Sequence, residues 1–290
     1  MAGTAAVPQR WAAIDFRREV RDAVVAGRRV RYLDHGDGPP LVLLHGMACC
    51  WEWWLEVVPE LGRHHRVLAV DLPGFGRSDA LPPPAEMAEH ATVVLGLLQQ
   101  LGVAPAVVAG HSMGGLVALA MAAAAPERVA ALVLVNAGGV PLSERQLARV
   151  MTVVRHAHRV LSRPAVLRAI ARRPRVRRVL LRGALRDPGA MRTDLAQIVV
   201  PLMAAPGFLD GVAAAGRAVQ QARPEELGCP IHLIWGARDP LLPLRAAREL
   251  QERMPGAGLD VLPDAGHSPM VEAPAAFTRA LLRFTAELPR

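Results

Sequence analysis

Residues 106–124 change from a strand pattern to a helix pattern within a few residues around Ser112. The small and apolar residues from Ala106 to Gly110 are typical of a buried strand, and an alanine-rich helical pattern follows directly after Gly114. So short a turn forces its central residue into a sparsely populated backbone conformation, and the flanking glycines leave no Cβ atoms to collide. We therefore expect the Ser112 side chain to project from the strand end, facing the positive end of the following helix.

Short apolar runs alternate with helical patterns on both sides of this turn. Two alternating segments, 20–25 and 28–33, predict an antiparallel pair of strands. Continuous apolar runs predict buried strands at 41–44, 67–70 and 129–135. This order predicts an α/β fold in which a mostly parallel sheet of about eight strands has helices on both faces. In such a sheet, the functional site lies at the carboxyl ends of the strands.

The strand pattern stops between about residues 138 and 226. Prolines divide this segment into short predicted helices, one of which is expected to begin at Asp187–Pro188 and to run to Met203. Strand patterns return at 231–235 and 259–262, and an amphipathic helix closes the chain. We therefore predict three parts, which are a core segment over 1–137, an all-helical insertion over 138–226 and a second core segment over 227–290.

The composition sets broad limits on the kind of protein. The 290-residue chain is 52% hydrophobic, and it contains no run of about 18 apolar residues that would predict a membrane-spanning helix. Its first ten residues lack the order of charged and then apolar residues that marks a secretory signal, so a cytoplasmic location is expected. Cys49, Cys50 and Cys229 form neither a disulfide framework nor a zinc pattern. We expect no metal site.

Positive charge is concentrated in the predicted helical insertion. All 34 basic residues are arginine, and the formal net charge is +8 at pH 7. Between Pro141 and Asp194 there are 14 arginines against three acidic residues. One interpretation is a solvated helical face, or a coding bias toward arginine. The alternative hypothesis is that these arginines recruit anionic lipid or acidic substrates. No nucleic-acid partner is expected.

The segment Gly110–Gly114 resembles the nucleophile elbow of the α/β-hydrolase superfamily, and later motifs extend this resemblance over nearly the whole chain. A serine hydroxyl is a poor nucleophile at neutral pH, so it needs a base within reach and a third group that orients the base. The resemblance implies that Ser112 is the nucleophile, His267 the base and Asp239 the orienting acid. Asp264 is a weaker alternative for the acid because it lies only three residues before the histidine, in the same loop.

The strand 41–44 ends in His45-Gly46, a pair that resembles the start of the superfamily's oxyanion-hole loop. The resemblance implies that the backbone N–H groups of Met47 and Met113 bind the oxygen of a tetrahedral intermediate. Two convergent donors are needed because this oxygen gains a full negative charge, and losing one donor typically costs about 10²–10³ in rate.

Two other positions correspond to superfamily motifs, one by matching the motif and one by departing from it, and neither is assigned a catalytic role. The phrase from Asp71 to Asp79 is similar to a D-x-P-G-x-G-x-S turn. Because its glycine and proline residues set backbone angles, both aspartates are interpreted as structural. Asn136 stands where some relatives carry an acid, but it is an amide.

The resemblance also limits the chemistry. Dehalogenases and epoxide hydrolases of this fold carry an aspartate where Ser112 stands, and lysine-dependent lyases are excluded in a chain without lysine. Hydrolysis through an acyl-serine remains, with no metal or organic cofactor, and a carboxylic ester with an apolar acyl or alkyl group is the first choice of substrate. Hydrolysis of a carbon–carbon bond in a keto acid and cofactor-free, haloperoxidase-like perhydrolysis are alternatives. A non-catalytic receptor with this fold is the alternative from outside the enzymes.

Apolar helical faces in the insertion favour an apolar substrate pocket. The residues predicted to contact substrate lie beside the motifs and in the insertion, and they are His45, Gly46, Trp51, His111, Met151 and Val154. A purely structural role is the alternative for the two histidines, and packing in the core is the alternative for the tryptophan.

Overall fold

In a computed structural model of the chain, the apolar runs of the sequence form the strands of one sheet. The structure describes residues 11–103, 105–138, 145, 152, 158, 163–182, 185–189 and 191–289. Along the chain the strands are β1 Val20–Val25, β2 Arg28–His35, β3 Pro40–Leu44, β4 Arg66–Val70, β5 Ala106–His111, β6 Val129–Val135, β7 Ile231–Gly236 and β8 Gly258–Leu262. Their order across the sheet is β1-β2-β4-β3-β5-β6-β7-β8. Among the described strands, β2 alone runs antiparallel to the others, so the expectation of an eight-stranded, mostly parallel sheet is confirmed.

Register in the parallel part of the sheet brings the strand ends to one edge. Leu44 at the end of β3 pairs with Gly110 of β5, and Gly110 pairs with Leu134 of β6. On the other side of β6, Gly236 at the end of β7 pairs with Leu262 at the end of β8. The loops that follow these strands therefore meet at the same edge.

Helices cover both faces of the sheet. In chain order the described helices are α1 Val58–Leu61, α2 Met87–Gln100, α3 Met113–Ala124, α4 Pro164–Arg172, α5 Pro174–Leu180, α6 Thr193–Val199, α7 Phe208–Gln221, α8 Leu244–Glu252, α9 Pro269–Glu272 and α10 Pro274–Glu287. Alternate strand residues enter two separate cores, as the two-residue period of a strand requires. Leu41 and Leu43 pack with Trp54, whereas Val42 and Leu44 pack on the other face.

The elements described between β6 and β7 are helical. The helix expected to begin at Asp187–Pro188 begins instead at Thr193, and its last turn is a 3₁₀ segment over Val200–Met203. The Asp187 carboxylate bonds the backbone N–H of Gly189 and the Arg178 guanidinium, so it closes a turn and does not cap a helix.

A fully buried arginine ties these helices together. The Arg177 guanidinium donates to the backbone carbonyls of Ala171, Met191 (2.8 Å) and Pro188 (3.3 Å). Burial lowers the pKa of Arg177, because the charged form has lost its water shell. Three main-chain oxygens replace part of this solvation, so α5 is linked to the end of α4 and to the segment that precedes α6.

The turn from Asp71 to Asp79 has the structural contacts expected of it. The Asp71 carboxylate accepts the backbone N–H groups of Trp51 and Arg77, at 2.7 and 2.8 Å. Asp79 accepts the backbone N–H of Arg29 at 2.8 Å. Burial and the neighbouring Glu52 carboxylate raise the pKa of Asp71 to about 7.

Across the described ranges, no single helix is both long and apolar enough to cross a membrane. The helical stretches Thr193–Met203 and Phe208–Val219 meet that requirement only as a pair, with a bend of 84° between them.

His90 on α2 provides a test of how the core responds to acid. Its ring is 1% exposed and lies against Phe75, and burial lowers its pKa to about 4. Below pH 6.5 the unfolded chain takes up a proton at this residue and the folded protein does not, so stability is lost between pH 6.5 and about 4. At pH 5 this group alone should cost about 2 kcal/mol relative to pH 7.5.

The variant His90→Leu should therefore lose less stability than the wild type between pH 7.5 and 5, measured by urea unfolding at each pH. The exposed His64→Leu variant is the matched control and should follow the wild type. Identical pH dependence in His90→Leu and the wild type would contradict the buried neutral histidine.

Candidate active site

Ser112 lies at the turn between β5 and α3 in a strained conformation. Its φ of 51° and ψ of −116° fall outside the regions that serine commonly adopts. The turn closes tightly, because a Cβ atom on Gly110 would lie 2.3 Å from the Gly114 oxygen and 2.6 Å from Gly115 Cα. Only glycine fits there, and the side chain of the serine points away from the strand.

The start of α3 also lies directly on the end of β3. A Cβ atom on Gly114 would be 2.3 Å from the Leu44 oxygen and 2.6 Å from the His45 oxygen. Met113 is the first residue of α3, where a backbone N–H has no acceptor within the helix, and Met47 lies in the turn that follows His45. This close approach brings the two segments of the predicted oxyanion hole side by side.

The imidazole of His267 and the carboxylate of Asp239 form a buried pair. Nδ1 of His267 lies 2.8 Å from Oδ2 of Asp239, and the two side chains are 7% and 0% exposed. A carboxylate at this distance assigns the proton to Nδ1, which leaves Nε2 as a free acceptor. Oδ1 of the same carboxylate accepts the backbone N–H groups of Leu241 (2.7 Å) and Leu242 (2.9 Å), which fix its orientation.

Asn136 contributes to this pair, a role that sequence reasoning missed. It follows β6 with a φ of 41° and is fully buried. Its Nδ2 donates to Oδ2 of Asp239 at 2.6 Å, and its Oδ1 accepts the backbone N–H of Gly236 at 3.1 Å. Burial would raise the pKa of Asp239, but the bonds from His267, Leu242 and Asn136 and the charge of the imidazole lower it, so the carboxylate stays ionised.

His111, the residue before the serine, links the elbow to the histidine loop. Its Nε2 donates to the backbone oxygen of His267 at 2.8 Å, and the two rings lie 4.9 Å apart. Burial and the neighbouring imidazole lower the pKa of His111 to about 3, so its ring is neutral. Within the described contacts, no hydrogen bond joins the Ser112 hydroxyl to the His267 ring. Among the described contacts, His111 supplies a direct hydrogen bond between the two segments.

The other predicted substrate contacts that the structure describes have structural partners. His45 is fully buried, with Nδ1 donating to the Gly46 oxygen at 2.7 Å and Nε2 accepting the backbone N–H of Leu72 at 3.0 Å. A Cβ atom on Gly46 would lie 2.7 Å from Nδ1 of His111, so this glycine allows the two loops to meet. Trp51 is 5% exposed and packs edge-on against Phe16.

Met151 and Val154, the two predicted substrate contacts from the insertion, lie outside the described residues. Within the ranges that are described, no group of three or more His, Cys, Asp or Glu side chains is placed to hold a metal ion.

Glu272 at the end of α9 is a second carboxylate beside the histidine loop. Its Oε1 accepts the backbone N–H of Ser268 at 3.0 Å, and its Oε2 accepts the backbone N–H of Arg186 at 2.8 Å. The pKa of Glu272 is raised, because burial outweighs the lowering effect of its backbone hydrogen bonds and of the nearby His267. The carboxylate thus joins the segment between β6 and β7 to the residue after the predicted base, a contact with no signature in the sequence pattern.

The family profile described as alpha/beta hydrolase fold matches residues 39–274 of the chain. The chain belongs to the α/β-hydrolase fold family. This confirms the resemblance of the elbow and of the motifs on both sides of it.

Individual members of the family give a finer picture of the similarity. The chain is 34% identical to pimeloyl-[acyl-carrier protein] methyl ester esterase of Chromobacterium violaceum, over 85% of this chain and 94% of that protein. It is 30% identical to 2-hydroxymuconate semialdehyde hydrolase of Pseudomonas sp. CF600, over 92% of this chain and 94% of that protein. Among solved structures, the esterase RhEst1 from Rhodococcus sp. ECU1013 is 27% identical and covers 93% of this chain and 100% of its own, with a TM-score of 0.72. These similarities support a hydrolase.

Removing the Asn136 amide should weaken the Asp239–His267 pair without touching substrate. Because a hydrogen bond to a charged group contributes about 1.5–3 kcal/mol, we expect Asn136→Ala to lower kcat on an activated ester about ten- to hundredfold. With one donor fewer, Asp239 holds the proton on His267 more strongly, so the acid limb of the kcat/KM profile should move to higher pH. Gln100→Ala, which removes an exposed amide on α2, is the control. An unmoved acid limb would contradict the positioning role of Asn136.

Glu272→Gln should have the opposite effect on the pH profile. The amide keeps the side-chain shape but removes a negative charge near His267 and offers only one acceptor to two backbone N–H groups. We expect a lower kcat and an acid limb that moves to lower pH, measured on the same ester. Asp264→Asn removes an equivalent charge from an exposed position in the same loop, so it serves as the matched control. If both variants shift the profile equally, the effect is general electrostatics and Glu272 has no specific role.

Proposed function

We propose that this protein is a serine hydrolase that cleaves a carboxylic ester with an apolar acyl or alkyl group through an acyl-serine intermediate. The observation that carries the proposal is the buried hydrogen bond between His267 Nδ1 and Asp239. It holds the imidazole in the tautomer whose Nε2 accepts a proton, and His111 ties this histidine to the residue before Ser112. The proposal deepens what the family establishes, which is a hydrolase.

In the proposed reaction, Oγ of Ser112 attacks the ester carbonyl carbon while its proton passes to Nε2 of His267. The carbonyl oxygen becomes an oxyanion, which the backbone N–H groups of Met47 and Met113 stabilise. The imidazolium then gives its proton to the alkoxide oxygen as the C–O bond breaks, leaving the acyl-serine and a free alcohol. Water, deprotonated by the same histidine, attacks the acyl-serine and releases the carboxylic acid and the serine.

The packing above the elbow supports an apolar substrate. A Cβ atom on Gly211 of α7 would lie 3.1 Å from Cζ of Phe75 and 3.4 Å from Sδ of Met113. Helix α7 therefore lies against an apolar surface beside one of the proposed oxyanion donors. The esterase relatives in the comparison are named for ester substrates, which agrees with this choice.

Hydrolysis of a carbon–carbon bond is the second candidate. It is favoured by the similarity to 2-hydroxymuconate semialdehyde hydrolase, which extends over 94% of that protein. In this reaction an arginine of the insertion would bind the carboxylate of a keto acid. Perhydrolysis, in which peroxide replaces water in the second step, needs the same three residues and is a further outcome of the test below.

Loss of any one of the three proposed residues should remove activity and leave the fold intact. We expect Ser112→Ala and His267→Ala to abolish ester turnover, and Asp239→Asn to lower kcat by about 10⁴, because the amide favours the wrong imidazole tautomer. A fluorophosphonate probe should label the wild type stoichiometrically and fail to label Ser112→Ala. Circular dichroism checks folding, and Ser268→Ala, a serine beside the histidine, controls for probe specificity. A folded Ser112→Ala variant with full activity would refute the mechanism.

A substrate panel separates the candidate reactions. It comprises p-nitrophenyl esters of graded chain length, a ring-cleavage keto acid and an ester with hydrogen peroxide. The proposal expects the highest kcat/KM on an ester with an apolar chain. A higher kcat/KM on the keto acid would favour carbon–carbon hydrolysis, and labelling without turnover of any substrate would favour a receptor.

A further inference from the structure

The surface formed by residues 163–182, on and around α4 and α5, has an unusual composition. This stretch contains eight arginines and no acidic residue. Every residue of it that the structure describes as exposed is arginine, proline, alanine or valine. We call this surface the arginine face. It combines a dense positive charge with small apolar groups and has no side chain that accepts a hydrogen bond.

The direction of the arginines follows from the packing of the two helices. Leu167, Ile170 and Ala171 of α4 are buried against the helices around them. Arg177 is the one arginine of the stretch that turns inward, where it bonds backbone carbonyls. The remaining seven arginines are exposed and point away from the protein.

Most of these charges have no acidic partner. Arg178 pairs with Asp187 at 3.0 Å. The other six exposed arginines make no ion pair with any described residue, and they are Arg163, Arg168, Arg172, Arg173, Arg175 and Arg182. Like charges at such density repel one another, and this repulsion destabilises the folded chain. A polyanionic partner would reduce the repulsion by neutralising the arginines.

We propose that the arginine face docks on an anionic lipid bilayer. Guanidinium groups bind phosphate in a bidentate manner, and each basic residue near an anionic membrane surface adds to the attraction. Val179 on α5 is 71% exposed, so the face also presents an apolar side chain to the boundary between headgroups and acyl chains. The face holds no aromatic or amide side chain that would stack on or read a nucleic-acid base, which favours lipid over RNA.

This docking is peripheral and does not depend on catalysis. The face lies on the outside of the segment between β6 and β7, whereas the Ser112 elbow lies at the sheet edge. Ser112→Ala should therefore bind as the wild type does. Failure of the hydrolase proposal would leave the lipid proposal standing, and the reverse also holds.

The test is sedimentation with vesicles of phosphatidylcholine alone or with 30% phosphatidylglycerol. We expect binding of the wild type and of Ser112→Ala only to the anionic vesicles, and we expect that binding to weaken steeply between 50 and 500 mM NaCl. Binding that is absent at 50 mM NaCl, or that is equal on both vesicle types, would overturn the proposal.

A charge-matched pair of variants separates the arginine face from net charge. The first variant replaces Arg168, Arg172, Arg173 and Arg175 by Gln. The second replaces four exposed arginines elsewhere by Gln, and these are Arg18, Arg245, Arg248 and Arg279. Because each basic residue contributes about a fivefold factor at an anionic surface, the first variant should bind nearly three orders of magnitude, or about 600-fold, more weakly than the wild type. Equal losses in the two variants would overturn the assignment to this face.

Two further experiments test the apolar contact of Val179 and the alternative that the partner is RNA. Val179→Asp should weaken binding to anionic vesicles by about tenfold or more, because it adds a negative charge and removes the exposed apolar group. Poly(U) RNA competes as the alternative polyanion. If the wild type binds this RNA more tightly than anionic vesicles at the same salt, through the same four arginines, the proposal of a lipid partner is wrong. Ester turnover in the absence of vesicles should stay unchanged in the two four-arginine variants and in Val179→Asp, which shows that they fold.

Discussion

A buried carboxylate surrounded by hydrogen-bond donors is the interaction on which this site depends. The Asp239 side chain is fully buried, and an isolated carboxylate there would take up a proton and lose its charge. Two backbone N–H groups, the Asn136 amide and the His267 imidazole keep it ionised. These donors come from the loops after β6, β7 and β8, so the carboxylate can be satisfied only when three neighbouring strands end at one edge.

The hydrophobic pattern of the sequence predicted the strands of the sheet well, because burial in a parallel sheet requires a distinctive pattern of apolar residues. Strands covered on both faces read as continuous apolar runs, and all eight predicted strands are present in the sheet. The Ser112 turn could be predicted equally well, because the backbone at positions 110 and 114 lies so close to its neighbours that only glycine fits there. In both cases a steric requirement acts on residues that are near in sequence.

Contacts between distant segments could not be predicted from the sequence. Asn136, His111 and Glu272 each bond a residue of another loop, and nothing in their own neighbourhoods indicates the partner. His45 and Trp51 were predicted to contact substrate, and this stays a prediction beside the contacts that the structure describes for them, with Gly46, Leu72 and Phe16. A side chain close to a motif in sequence can equally support the motif from behind, and only packing separates the two cases. The start of α6 at Thr193 instead of Asp187 is a smaller example, because a turn-forming aspartate and a helix cap look alike.

The two backbone bonds of Glu272 have a mechanical consequence. One oxygen holds the chain at Arg186 and the other holds the chain at Ser268, directly after the imidazole-bearing residue. If the outer segment swings away to admit a bulky molecule, one of these tethers must stretch or break, and the imidazole loses part of its support at the same moment. Displacement of the chain at Arg186 is therefore coupled, through one carboxylate, to the backbone that carries the imidazole.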